Sequence, residues 1–164
     1  MPITVSLNKQ SLQKASKKLK LFGKNLKSNI ENDIEKATKK LYYKIIENCK
    51  DNNITIHDSN IYWEYDKNTN TGKVWTDDIV IQFNEFGTGI KGTQDSWANA
   101  FNYKVNQSGK GEKGWFFRND EHLYKGITHG VESKHMFYNA LLEMQLELPK
   151  TISITIKRLI GDMY

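Results

Sequence analysis

Apolar residues at Leu12, Ala15, Leu19, Phe22, Leu26, Ile30, Ile34, Ala37, Leu41, Ile45 and Cys49 recur at steps of three and four, 37 residues in ten steps. That spacing predicts one α-helix over residues 8–50 with a continuous apolar stripe. Asn8 or Ser11 can cap its start, and the polar run CKDNN supplies its stop. At about 1.5 Å per residue the striped stretch Leu12–Cys49 alone is close to 60 Å long, whereas a compact domain of this size is about 35 Å across. Part of the helix must therefore project or be broken, with Gly23 as the expected bend. A projecting helix that keeps its apolar stripe needs cover, and a second copy of the chain is the simplest source.

The rest of the chain predicts an α+β domain spanning residues 1–164: a long N-terminal helix and a C-terminal helix packed on a small antiparallel sheet, with a long hairpin-like excursion. Residues 1–7 read as an arm or short strand. Residues 53–87 read as a β-meander, with NIYWEYD and GKVWTD joined by the KNTNTG turn and followed by DIVIQFNEFG as a further strand. In that hairpin Ile61, Trp63 and Tyr65 face one way, Tyr62, Glu64 and Asp66 the other, and Trp63 and Trp75 are expected as neighbours. Residues 88–127 mix glycine, polar and aromatic residues without a period, longer than an ordinary loop. They are expected to form an extended loop or hairpin with WANAFNYKV and KGWFFRND as arms. Residues 133–162 carry helical spacing at Phe137, Ala140, Leu141, Met144 and Leu148. Ser133 is the expected cap, and Pro149 the start of a second helical piece bearing Ile152, Ile156, Leu159 and Ile160. TISITIK alternates like a strand, yet helix is the favoured reading.

The 38% hydrophobic and 12% aromatic content is sufficient for a packed interior. No apolar run approaches the roughly 20 residues of a membrane span, and MPITVSLNKQ has no signal-peptide pattern, so the chain is expected in the cytosol of the cell that makes it. A lone Cys49 fits a reducing compartment. The net charge of +5 is unevenly placed: residues 1–50 hold 12 lysines against 4 acids, a balance of +8, and the remainder is −3. Lys14, Lys17, Lys18, Lys20, Lys24 and Lys27 precede every acid in the chain. They suit nucleic acid, an acidic partner or plain solvent; the absence of arginine and the single aromatic, Phe22, among them argue against reading of a groove.

Catalytic and cofactor chemistries fail on context. Gly109, Gly111 and Gly114 have the G-x-G-x-x-G spacing but lead into the strand-former WFF rather than a helix, so no phosphate site is expected. They read instead as the tip of a turning arm. His122, His129 and His135, with Glu132 between the last two, resemble a metal set only loosely, because His129 and His135 are six apart and Gly130 breaks the first turn. Cys49 reads as a small buried hydrophobe. Asp77 and Asp78 face opposite ways on a strand and read as turn acids. No catalytic, cofactor or metal residue is assigned, and no enzymatic activity is expected.

Three stretches in order, VIQFNEFGTGIKG (80–92), GEKGWFF (111–117) and THGVESKHMFYNALLEM (128–144), resemble the HK97 gp10-like phage proteins. The resemblance spans roughly residues 12–160. It implies a structural protein of a tailed bacteriophage virion, without cofactor, in a ring of six copies at the neck that completes the tail or joins it to the head. Adjacent connector, terminator or tail-tube proteins would then be its partners, with genomic DNA in the channel. SKHMF departs from the small residue or arginine followed by proline found in many relatives, and the lysine-heavy start of the first helix is a second departure; both leave the ring position open. On this reading Trp97, Phe101, Trp115, Phe116, Phe117, Leu12, Leu19 and Phe22 are subunit-interface candidates. The six lysines are candidates for DNA-channel or acidic-partner contacts. Glu85, Phe86, Gly87 and Gly89 form a structural turn in which Phe83 or Phe86 anchors a strand leaving the sheet. The alternative class is a nucleic-acid-binding module using the basic first helix; a metal-dependent nuclease would need His129 and His135 to bind metal.

Overall fold

The computed structural model describes residues 9–54, 60–106, 110–118 and 124–162. The expected arm over residues 1–7 and residues 55–59, near the start of the expected meander, lie outside these. The helix read from the 3.7-residue period is α1, Lys9–Asp51, which runs through Gly23 without interruption. A side chain at Gly23 would meet nothing, so the glycine sits on an open face and marks no close contact.

After α1 comes a hairpin of β1 (Ile61–Asp66) and β2 (Thr71–Thr76), in the register that sets Trp63 against Val74 and Tyr62 against Trp75. Asp66 accepts from the Asn68 N–H and the Thr69 hydroxyl, closing the turn and holding its carboxyl below the usual carboxylate range. The two tryptophans point to opposite faces, contrary to expectation. Trp75 stacks on Tyr62 at 5.6 Å on the outer face, while Trp63 lies beneath the Lys39 ammonium, 4.9 Å from its ring centre.

The meander ends there. DIVIQFNEFG, expected as a strand, forms the helix α2 (Ile79–Phe86) instead. Its start is fixed by Asp78, whose carboxylate accepts from the N–H groups of Val80 (2.7 Å) and Ile81 (3.4 Å). Asp78 is thus a helix cap rather than a turn acid. Gly87 follows with φ +75°, then the two-residue strand β3 (Thr88–Gly89), the short helix α3 (Ser96–Ala100), the turn α4 (Lys110–Lys113) and the hairpin β4 (Trp115–Arg118)/β5 (Tyr124–Thr128). The excursion therefore folds differently from the expected pair of arms. WANA is helical, and WFFR pairs with the segment after it, so GKGEKG precedes the hairpin and is not its tip.

Strand β6 (Gly130–Val131) pairs with β3, and α5 (Met136–Gly161) closes the fold as one continuous helix through Pro149. TISITIK lies inside α5. Thr155 takes the buried place expected of an isoleucine, donating to Asp33 at 2.6 Å, while Ile160 is exposed. α5 runs antiparallel to α1: Asn48 donates to the Met136 carbonyl, Lys44 pairs with Glu143, Lys40 with Glu147, and Arg158 reaches Asn29. The core lies where this pair meets the hairpin and α2, and consists of Ile45, Ile46, Cys49, Ile54, Ile61, Ile81, Met136 and Ala140. Each large apolar side chain buried there contributes about 1.5–3 kcal/mol. Desolvation in this core pushes the Cys49 thiol up to about 12. Together these elements make an α+β fold of two long helices and small antiparallel sheets.

Candidate functional site

Among the described residues the last hydrogen bond between α1 and α5 is Arg158 to Asn29, which leaves Lys9–Ser28 of α1 as an overhang past that bond. At about 1.5 Å per residue this overhang is about 30 Å long. Leu12 and Leu19, on the apolar stripe, are 56% and 62% exposed, and Leu21 is 60% exposed. Phe22 and Leu26, nearer the body, are half-buried. Lys14, Lys17, Lys18, Lys20, Lys24 and Lys27 are all exposed along the same overhang. The first acid that meets any of them is Glu31, 3.7 Å from Lys27.

Lower down, α1 contacts α5 with one face (Asn29, Asp33, Lys40, Lys44 and Asn48) and the hairpin with another (Thr38 and Lys39). Gly72 of β2 crosses so close to Thr38 that any Cβ there would collide with its hydroxyl. Between these two contacts lies an open, mainly apolar cleft of about 850 Å³. Leu41 and Ile45 form its floor, Val74 and Trp75 one wall, Phe137 and Leu141 the other. Its end is an aromatic cluster in which Phe86 stacks on Tyr103 at 4.6 Å and Phe101 meets Trp97 edge-on at 4.7 Å. Phe101 is 60% exposed and Trp75 42%, so aromatic surface rims the opening. Phe86 is the anchor of the two offered by the sequence; Phe83 is exposed.

A polar junction holds this end of the cleft in place. The buried Glu85 carboxylate accepts from Trp97 Nε1 (2.7 Å), from the Phe137 N–H (2.8 Å) and from the Tyr138 N–H (3.0 Å). It therefore caps α5 from another helix, placing negative charge where the helix dipole favours it. The expected cap, Ser133, lies three residues ahead of α5 and donates to the Phe86 carbonyl. The residue before α5, His135, has left-handed backbone (φ +53°) and no side-chain cap bond. Its Nε2 lies 3.3 Å from Asp95, the acid that also caps α3 by accepting from the Ala98 N–H. With three donors on its two oxygens, Glu85 organises α2, α3 and α5 and keeps little capacity for chemistry on a ligand.

Gly89 (φ +61°) and Gly130 (φ +124°) face each other in the β3–β6 ladder, where a Cβ on either would strike the opposite backbone. Glu85, Phe86, Gly87 and Gly89 are thus a helix end and a backbone crossing rather than a strand leaving a sheet. His129 and His135 do not converge: His129 Nδ1 lies 3.2 Å from the Glu112 carbonyl, while His135 faces Asp95. His122 lies outside the described residues, as do the side chains of Trp115, Phe116 and Phe117, whose backbone pairs with β5. Trp97 works inside the chain, whereas Phe101 and the overhang residues Leu12 and Leu19 present free surface. Trp75 was missed as a surface candidate, although strand alternation sets it opposite Tyr62, on the face away from Ile61. Among the described residues no helix is long and apolar enough to cross a membrane. Comparison of the chain with protein-family models, with curated proteins and with solved structures gave no match.

Proposed function

We propose that this chain is a structural subunit of a tailed-bacteriophage virion that associates with copies of itself in a ring at the neck, where it completes the tail or joins it to the head. The supporting observation is the α1 overhang, about 30 Å of helix whose leucines Leu12 and Leu19 are more than half exposed. An apolar stripe of that length beyond the body suits an interface between subunits, and a head-to-tail contact that closes on itself gives a ring. The exposed rim aromatics Trp75 and Phe101 supply a second surface of the kind that anchors protein partners. Electron microscopy of particles assembled without this protein tests the role. Finished heads and finished tails that remain apart support it; joined, infectious particles refute it, and overlong tails reassign it to length termination.

A second reading, contact with nucleic acid, draws on the six exposed lysines with no acid among them before Glu31. Such contacts are to phosphate and carry no sequence preference. Retention of random-sequence duplex DNA that falls steeply between low and moderate salt supports it. Equal retention by a variant with all six lysines changed to glutamine refutes it.

A further inference from the structure

The cleft and the overhang are each incomplete, and we infer that they are the two halves of one interface: the α1 overhang of one copy lies in the aromatic-rimmed cleft of the next. This deepens the ring reading above and rests on its self-association, not on its location in a virion. Charge selects the occupant. Residues 9–28 carry seven lysines and no acid, so two overhangs side by side would set +7 against +7. The charged side chains lining the cleft are Glu64, Glu85 and Lys73, two acids against one lysine, and residues 29–164 as a whole carry −2 against the +7 of residues 9–28. Overhang against overhang is therefore disfavoured and overhang against cleft favoured.

Shape agrees with charge. The cleft is an open trough floored by a helix and walled on one side by a second, so an incoming helix would pack there as α5 already packs on α1. Its rim offers Trp75 and Phe101, while the overhang offers Leu12 and Leu19 on the stripe. Overhang and cleft are distinct patches, so each contact pairs unlike halves and each copy uses both; where two copies do not exchange overhangs reciprocally, the contact is heterologous. Chains of copies then grow until they close.

The experiment uses two variants of the full chain. Leu19→Asp spoils the overhang and leaves the cleft intact; Trp75→Glu spoils the cleft rim and leaves the overhang intact. Both positions lie outside the core, and circular dichroism checks that each variant keeps its helix content. In sedimentation velocity the expected result is assembled wild type, each variant alone reduced to monomer, and a mixture of the two forming a dimer that grows no further. Assembly of Leu19→Asp like wild type, or a mixture that stays monomeric, overturns the inference while leaving the ring reading intact. A monomeric wild type at high concentration overturns both. As an independent readout, Leu19→Cys combined with Phe101→Cys should give a ladder of disulfide-linked multimers on oxidation. Efficient cross-linking of the Leu19→Cys single variant into dimers would instead show overhangs pairing with each other and refute the assignment.

Discussion

Replacing Glu85 tests the structural junction most directly. In Glu85→Ala three donors lose their acceptor together: the Trp97 indole N–H and the backbone N–H groups of Phe137 and Tyr138. Loss of a helix cap costs about 0.5–2 kcal/mol, and each buried donor left without a partner about 1–3 kcal/mol. The terms overlap, because the same two amides appear in both, and water entering from the cleft can recover part of the loss. About 3–5 kcal/mol is expected, a drop in Tm of roughly 6–20 °C for a chain of this size. Glu85→Gln keeps one carbonyl acceptor but turns an amide NH2 toward an N–H and removes the charge at the α5 N-terminus, for about 2 kcal/mol. Trp97→Phe removes one donor without orphaning the helix end and should cost about 1–2 kcal/mol. Urea denaturation with a constant slope measures all three, and the Glu85→Gln/Trp97→Phe double variant should be non-additive by at least about 0.5 kcal/mol. If Glu85→Ala unfolds within about 1 kcal/mol of wild type at the same slope, Glu85 does not cap α5.

Three further outcomes follow from local geometry. Gly89→Ala and Gly130→Ala should each lose at least about 3 kcal/mol, because the new Cβ would lie 2.1 Å from the His129 carbonyl oxygen and 1.8 Å from that of Thr88, whereas Gly23→Ala, facing open space, should gain about 0.5–1 kcal/mol; thermal melting separates them. Pro149→Ala should stabilise by about 1–3 kcal/mol, since α5 is continuous through a residue that has no N–H for its ladder, and a melting temperature at or below that of wild type would show that the proline relieves some other strain. The Cys49 thiol, pushed up to about 12 by burial from an ordinary 9.0, stays protonated in the native state where the unfolded chain ionises. The native state therefore holds more protons above pH 9, and stability should fall as pH rises from about 9 toward 12; Cys49→Ala should flatten that fall, and the native thiol should react with a disulfide reagent at pH 8 only as fast as the protein unfolds.

The long helices are legible because their apolar period persists over many turns, whereas TISITIK is only favoured as helix by the sequence, and it is one because it continues the phase of Met144 and Leu148. α2 was misread for a specific reason. Its buried face is Ile81 and Glu85, an i, i+4 pair, and the acid broke the apolar pattern, leaving the alternation of Ile81 and Phe83 with Gln82 and Asn84 to suggest a strand. Asp78 immediately ahead of IVIQF was the available signal for a helix start. The tip of the excursion was misplaced because glycine density marks positive φ and close approach as well as turns. Gly114, at φ +77°, packs against Ile127 rather than turning a hairpin. That Trp63 and Trp75 part company follows from a register in which Trp75 faces Tyr62, one residue from the expected partner and hence on the opposite face.

The segments carrying the phage-protein resemblance meet in space, and they do so for internal reasons. EFGTG supplies the α5 cap, the end of α2 and one side of the glycine crossing; THGVES supplies the other side and the Ser133 bond back to Phe86. Glu85, Gly89, Gly130 and Ser133 are engaged in this way inside the chain and are taken up by the fold. The lysine-rich, leucine-striped overhang and the Trp75–Phe101 rim, neither of which belongs to a motif, present exposed surface instead. The departure noted in the lysine-heavy first helix falls in one of the segments that would set the spacing and polarity of a ring. On the proposed ring reading, exchanging Lys9–Leu21 for an unrelated helical sequence should therefore leave the melting of the body within about 1 kcal/mol, because the half-buried Phe22 and Leu26 and the core residues lie beyond it, while abolishing self-assembly. A body that unfolds on such an exchange would mean that the overhang is part of the fold itself, and the division between folding motifs and docking surfaces would fail.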